Sequence, residues 1–311
     1  MQAQRQRVAV LYTHSDFTPW NENVSANMIS KIIESLSLKF DVSVIHFAGF
    51  TNEFARLLKR FEMVFNVCYG YDNLQQTDVC KWLDDNEIPH SASSHIAQLL
   101  AQDKLLLPQL CKQVGLNSPQ IIEDAEVLCS NLPMIVKPRF GSMHRDIHVF
   151  KNGNVPLHYL QHNDYLVQDF IKGREFTAAI IPNETGDFEI CLNPVEIVPD
   201  TNNEFFILGS GQPKQLCFKP ELNLELLNEI KTKLLQLHKL IGLKGLSRTD
   251  FKVYNNTIFV LDVNAMPNLE PEKSFLPRIC NFNGINYERL VKQITIFALK
   301  QNVVEQLEMS V

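Results

Sequence analysis

At 311 residues, 45% hydrophobic and 21% charged, the chain has the make-up of a globular protein of two or three domains, not of a disordered or fibrous one. Its formal charge of −6, from 29 basic and 35 acidic residues, argues against a nucleic-acid partner, because phosphate neutralisation needs a basic face. No apolar run approaches the roughly 18 residues of a membrane span, and seven cysteines without a C-x-x-C pair indicate neither a disulfide framework nor a zinc site, so a reduced, cytoplasmic setting is expected.

The first hundred residues alternate strand and helix. Met1 to Arg7 has no apolar stretch resembling a secretion signal. Val8–Tyr12 reads as a strand, and Ser25 as the N-cap of a helix presenting Met28, Ile29, Ile32, Ile33 and Leu36. Val42–Ile45 returns to strand, Thr51 caps a helix with Phe54, Leu57, Leu58 and Phe61, and Met63–Cys68 is a third strand before a helix around Val79, Trp82 and Leu83. This alternation predicts an α/β domain with a parallel sheet. Ser94 to Gly115 reads as helix, with Pro108 either opening a second helix or interrupting a single one.

Strands follow at Met134–Lys137, Ile147–Phe150, Tyr165–Gln168 and Phe176–Ile181, predicting a mixed or antiparallel sheet of α+β type. Pro199 to Gln215 is polar and loop-like. Leu227, Ile230, Leu234, Leu237 and Ile241 mark an amphipathic helix ended by Gly242. Strands at Gly245–Tyr254 and Ile258–Asn264 and a helix over Tyr287–Lys300 complete the chain, giving expected parts 1–98, 99–184 and 185–311.

Ser247-Arg-Thr-Asp-Phe251 and Val260-Leu-Asp-Val-Asn264 are the most informative segments. Alternation puts Arg248 with Asp250 on one face of the first strand, and Asp262 with Asn264 on one face of the second. A three-residue loop, Asn255–Thr257, makes Asp250 face Asp262 with Lys252 opposite Val260. A two-residue Asn255-Asn256 turn puts Asp262 on the other face. Two carboxylates, an amide and an arginine suit Mg²⁺ beside phosphate; the local pattern fits solvated charges on an exposed face equally well. Ile135-Val-Lys-Pro-Arg-Phe-Gly-Ser142 delivers Lys137 on a strand and opens a turn where amides could approach phosphate, although no Walker loop is present. In Leu166 to Phe176, a connection between strands could read an adenine edge while Glu175 takes ribose hydroxyls.

In this order the segments resemble the ATP-grasp superfamily, in particular D-alanine–D-alanine ligases, from about Asn66 to Lys300. The motifs are Ala101-Gln-Asp-Lys104, Ile135-Val-Lys-Pro138, Gln168-Asp-Phe-Ile-Lys-Gly-Arg-Glu-Phe176, Arg248-Thr-Asp250 and Asp262-Val-Asn-Ala-Met-Pro267. The resemblance implies ATP between two α+β subdomains. Lys104, Lys137 and Ser142 would contact phosphates, Gln168, Asp169, Phe170 and Ile171 would border adenine, and Glu175 would take the ribose. Asp250, Asp262 and Asn264 would hold Mg²⁺ (or Mn²⁺), and Arg248 would stabilise charge at the acyl centre. The implied reaction joins a carboxylate to an amine through an acyl phosphate, with a lid formed by Gly141–Asp146 or Asp200–Gln215 and a homodimer through the N-terminal part.

Departures from the family centre on the substrate side. Asp262 stands where glutamate is usual, and Gly141-Ser-Met-His-Arg-Asp146 replaces a Gly-Ser-Ser-x-Gly loop, leaving His144 or Arg145 as substitute phosphate contacts. The loop lysine is missing, with Lys214 a nearby substitute. Asn23 aligns with the amine-recognising carboxylate, leaving Glu22 one residue away. Asn268 replaces a glycine, Lys273 and Ser274 could receive a substrate carboxylate, and Glu270 and Glu272 favour an amine or another cation. The expected substrates are therefore amino acids or a small peptide-like acid. The alternatives are a tailoring ligase with a larger or carrier-bound substrate, and an ATP-binding regulator without turnover.

Overall fold

The structure, a computed structural model, describes residues 5–13, 24–71, 74–123, 132–140, 146–161, 163–200, 205–206 and 214–309. The N-terminal part runs β1 (Arg7–Tyr12), α1 (Ala26–Ser37), β2 (Asp41–His46), α2 (Asn52–Leu58) and β3 (Met63–Asn66). Its strands form a parallel sheet in the order β2-β1-β3, as the alternation predicts. Ser25 Oγ accepts the Met28 amide at 2.9 Å and Thr51 Oγ1 that of Phe54 at 3.2 Å, so both expected N-caps form. Period-2 alternation divides β1. Val8 and Val10 pack toward α1, while Ala9 and Leu11 pack with Phe54, Leu58, Val79 and Leu83.

The chain continues through a short hairpin, β4 (Gly70–Tyr71) and β5 (Leu74–Gln75), into α3 (Gln76–Asp85), α4 (His95–Gln102) and α5 (Leu107–Gln113). Pro108 lies in the first turn of α5, where its missing N–H costs nothing, and so it opens the second helix. The small central sheet has the order β7-β6-β8 and is antiparallel. It is built from β6 (Met134–Pro138), β7 (His148–Phe150) and β8 (Tyr165–Asp169), with α6 (His158–Gln161) before the last strand.

The remaining elements are β9 (Arg174–Pro182), β10 (Glu189–Cys191), β11 (Val195–Pro199), β12 (Lys214–Cys217), α7 (Leu224–Ile241), β13 (Ser247–Tyr254), β14 (Thr257–Asn264), α8 (Phe275–Phe282) and α9 (Tyr287–Met309). The antiparallel sheet runs β12-β11-β9-β13-β14, with β10 also on β9. Strand β9, which precedes residue 184, is the middle of this sheet. Helices α4 and α5 also supply Ala97, Ala101, Leu107 and Cys111 to the core beneath the large sheet. The sequence pattern missed β4, β5, α6, β10, β11, β12 and α8. In α7 the buried stripe begins at Leu226, not Leu227, and Gly242 ends the helix at φ 80°.

The β13–β14 hairpin keeps one part of each sequence reading of its register, the turn of one and the facing carboxylates of the other. Its turn has two residues, Asn255 and Asn256, with φ of 48° and 59°, so Tyr254 pairs Thr257 and Lys252 pairs Phe259, not Val260. Asp250 nevertheless pairs with Asp262, because the register shifts after Phe251–Val260 and leaves Leu261 as an extra residue. This β-bulge undoes the face swap that a two-residue turn would otherwise impose.

Candidate active site

One face of the large sheet carries the polar residues. In register across β9, β13 and β14 lie Ala179, Arg248 and Asn264; then Thr177, Asp250 and Asp262; then Glu175 and Lys252. The other face is apolar: Phe176 and Phe251 stack at 5.5 Å above the α7 side of the core. Facing carboxylates repel unless something neutralises them. Here Arg248 Nε and Nη2 donate to the two Asp250 oxygens at 3.1 and 3.0 Å, and Lys104 Nζ lies 3.4 Å from Asp262 Oδ1. The Arg248 guanidinium also sits 5.4 Å over the Phe275 ring.

Lys137 reaches across from the central sheet. Its Nζ donates to the carbonyl of Leu261 at 3.0 Å, the carbonyl belonging to the bulged residue. Burial first, then the Lys104 charge, bring the Lys137 ammonium down to about 8 against the opposing pull of Asp262. Both lysines and both carboxylates thus gather at one corner. A half-buried pair that sequence reasoning did not single out adjoins Lys104: Arg139 donates to both Asp103 oxygens at 2.8 and 2.7 Å, and the Lys104 amide donates to Arg139 O at 3.2 Å. The signal was in the quoted motifs, since Asp103 and Arg139 adjoin Lys104 and Pro138, but their pairing is tertiary.

Along the same face Glu175 is buried, and burial pushes its carboxyl up to about 7 against the pull of Lys252 and Lys214. Lys252 Nζ lies 3.9 Å from Glu175, donates to Ile171 O at 3.0 Å, and sits 4.6 Å over the Phe170 ring. The Asp169 and Phe170 amides donate to Gln120 O and Pro133 O at 3.1 Å each. Those two amides are therefore spent inside the protein. Gln168 is buried, with Nε2 donating to Pro119 O at 3.4 Å. Lys214 is exposed at the start of β12, on the Glu175 side of the cleft and not at the Arg248 end.

The loop after β14 is tied to itself and to the N-terminal part. Asn268 Oδ1 accepts from the Glu270 amide and from Ser274 Oγ at 2.7 and 2.8 Å. Glu270 receives Ser25 Oγ on one oxygen and Asn27 Nδ2, at 3.3 Å, on the other. Glu270 is thus tied to the start of α1. Lys273 and Glu272 are exposed. Glu22, Asn23, Ser142, His144 and Arg145, and most of both lid segments, lie outside the described residues.

Among the described residues, no three His, Cys, Asp or Glu side chains gather in a metal-ligating group. A cation site would therefore rest on Asp250, Asp262 and the amide of Asn264, whose Oδ1 also accepts the Met266 amide at 3.0 Å. Their hard oxygens fit a divalent cation of the Mg²⁺ type. No described helix is long and apolar enough to cross a membrane.

Known proteins resemble this chain in sequence and in fold. The chain is 27% identical over 253 residues to a D-alanine–D-alanine ligase of Pelagibacter ubique (strain HTCC1062), a span of 75% of this chain and 79% of that one. Its fold matches a D-alanine–D-alanine ligase from Bacillus anthracis with a TM-score of 0.76 at 20% identity, over 97% of this chain and all of the other. It also matches the VanG D-Ala:D-Ser ligase from Enterococcus faecalis at 0.73 and 18%, over 95% of this chain and all of that one. At such identities the structural matches speak for the fold alone. Residues 112–296 match the family model described as D-ala D-ala ligase C-terminus. That span takes in the central sheet, the large sheet and the bulged hairpin, and so the chain belongs to the D-alanine–D-alanine ligase family of ATP-grasp proteins.

Proposed function

We propose that the protein is an ATP-dependent ligase that joins the carboxylate of an amino acid, or of a small peptide-like acid, to an amine. The observation that carries this reading is the corner where Asp250 faces Asp262 with Lys104 and Lys137 beside them. When a carboxylate attacks the γ-phosphorus of ATP, two anions must approach each other. Lys104 and Lys137 lower that repulsion, and Arg248, steadied by Asp250 and the Phe275 ring, stands where charge develops at the acyl centre. The carboxylate oxygen bonds to phosphorus as ADP departs; the amine nitrogen then attacks the acyl carbon, loses a proton and expels phosphate.

Asp250, Asp262 and Asn264 would hold Mg²⁺, with Mn²⁺ as a substitute, to neutralise charge on the transferring phosphoryl group. Glu175 takes the ribose, and Phe170 with the backbone of Ile171 borders the base. Lys214 acts on the nucleotide side. Asn268, Lys273 and Ser274 border the amino-acid pocket, and the family resemblance adds Glu22 and Asn23 as candidates for amine recognition. We further read the enzyme as cytoplasmic and as a homodimer through its N-terminal part.

The test is release of ADP from Mg·ATP across a panel of amino-acid pairs that includes D-alanine and D-serine. A stimulated pair, with turnover lost in Asp250→Ala and Lys137→Met, is the expected result. Folded protein that binds Mg·ATP yet gives no stimulation across the panel would overturn the reading.

A further inference from the structure

Lys252 has no part in the reaction as drawn, yet its ammonium is buried where an apolar side chain would cost less. Its contacts all fall on one short stretch. The ammonium donates to Ile171 O at 3.0 Å, lies 4.6 Å over Phe170 and stands 3.9 Å from Glu175. That stretch is the connection by which the chain leaves the central sheet for the large one. At its centre Gly173 lets the backbone approach β13 so closely that a Cβ there would meet Val253 O at 2.5 Å. The strands add a second constraint, because Lys252 and Glu175 are direct partners in the β13–β9 ladder. The lysine thus ties the carbonyl and the ring of the connection, and the carboxylate just after it on β9, to β13.

We propose that Lys252 is a positioning residue for nucleotide recognition: by holding Ile171 and Glu175 together it presents the Glu175 carboxylate to the sugar hydroxyls. The proposal rests on the ATP reading, in which Glu175 takes the ribose. A carboxylate held in this way discriminates sharply, because a sugar lacking the hydroxyl leaves it buried and unanswered.

The experiment compares kcat/KM for ATP with that for 2′-deoxy-ATP and 3′-deoxy-ATP, in wild type, Glu175→Gln, Lys252→Met and Lys252→Arg. Wild type should prefer ATP over one of the deoxy forms by about tenfold or more, the worth of a charge-assisted hydrogen bond. Glu175→Gln and Lys252→Met should each reduce that preference to below about threefold, the loss falling mainly on KM, and Lys252→Arg should restore most of it. A role in packing alone would weaken all three nucleotides equally and leave the ratio unchanged. If Glu175→Gln abolishes the preference while Lys252→Met, or the lysine-free Lys252→Gln should the methionine variant not fold, retains it, the role of Lys252 is overturned and the ATP reading stands. A wild type that turns over ATP and its deoxy forms alike overturns both the ribose contact and the proposal.

Discussion

Glu175 illustrates how one side chain can carry a cost that its surroundings only partly offset. Burial raises its carboxyl from 4.5 to about 7; Lys252 lowers it, Asp250 raises it and Lys214 lowers it again. The folded state therefore keeps this proton over an interval in which the unfolded chain has released it. The contribution to stability is fully present below about pH 4.5 and is lost as pH rises through 7. Glu175→Gln should accordingly gain thermal stability relative to wild type between pH 5 and pH 8; parallel melting curves would contradict this. Asp84 has the opposite sign. Burial alone would raise it, but hydrogen bonds from His90 and from the His95 amide, with the His90 charge and the His95 ring, bring it from 3.8 to about 2. Its contribution is present above about pH 3.8 and lost as pH falls through 2. Asp84→Asn should cost about 2 kcal/mol at pH 7 by denaturant titration, and that deficit should shrink on acidification.

The hairpin of β13 and β14 decides whether there is a site at all. With a two-residue turn and no irregularity, Leu261 would face Asp250 and Asp262 would point into the apolar layer. The bulge turns Asp262 back and aims the Leu261 carbonyl at Lys137. Deleting Leu261 should therefore leave Asp250 paired with Asp262 in a regular ladder but remove the carbonyl that holds the ammonium. We expect a folded protein whose KM for ATP rises about tenfold, the worth of one hydrogen bond to a charged group. An unchanged KM would mean the bulge does not position Lys137. Much at this scale was legible in the sequence: the caps at Ser25 and Thr51, the α7 stripe with Gly242, and Arg248 beside Asp250 all follow from local period and local chemistry. The bulge was not, because no residue in Val260-Leu-Asp-Val-Asn264 demands it; it arises from reconciling the turn with the register across β9. Nor was the buried position of Lys252, since an alternating strand reads the same whether its polar face meets water or another sheet.

Across the whole molecule, the N-terminal part is no separate body hung on the ligase core. Val8, Met28 and Phe65 share one apolar cluster with Ala179, Ile279 and Leu290, and α9 lies along α1. The loop after β14 is latched to the same surface. Tyr69 Oη accepts the Leu269 amide at 3.0 Å, and Glu270 takes Ser25 Oγ and Asn27 Nδ2 at the start of α1. Ser25 Oγ works in both directions, accepting the Met28 amide while donating to Glu270, so the carboxylate also meets the positive end of the helix. The sequence offers Glu270 to a substrate cation, and its contacts at the start of α1, some 245 residues away, are not visible there. Its hydrogen bonds join the loop after the Asn264-bearing strand to the N-terminal part. Glu270→Gln, which keeps the shape and removes the charge, should lower stability by about 1–2 kcal/mol. Combined with Ser25→Ala it should cost less than the sum of the two single changes, since both act on one contact. In turnover assays with the stimulating amino-acid pair, its KM for the amine should move by less than about threefold, the loss of a group that does not touch substrate. A tenfold rise in amine KM with an unchanged melting temperature would instead place Glu270 in the acceptor pocket and leave the latch to Tyr69 alone.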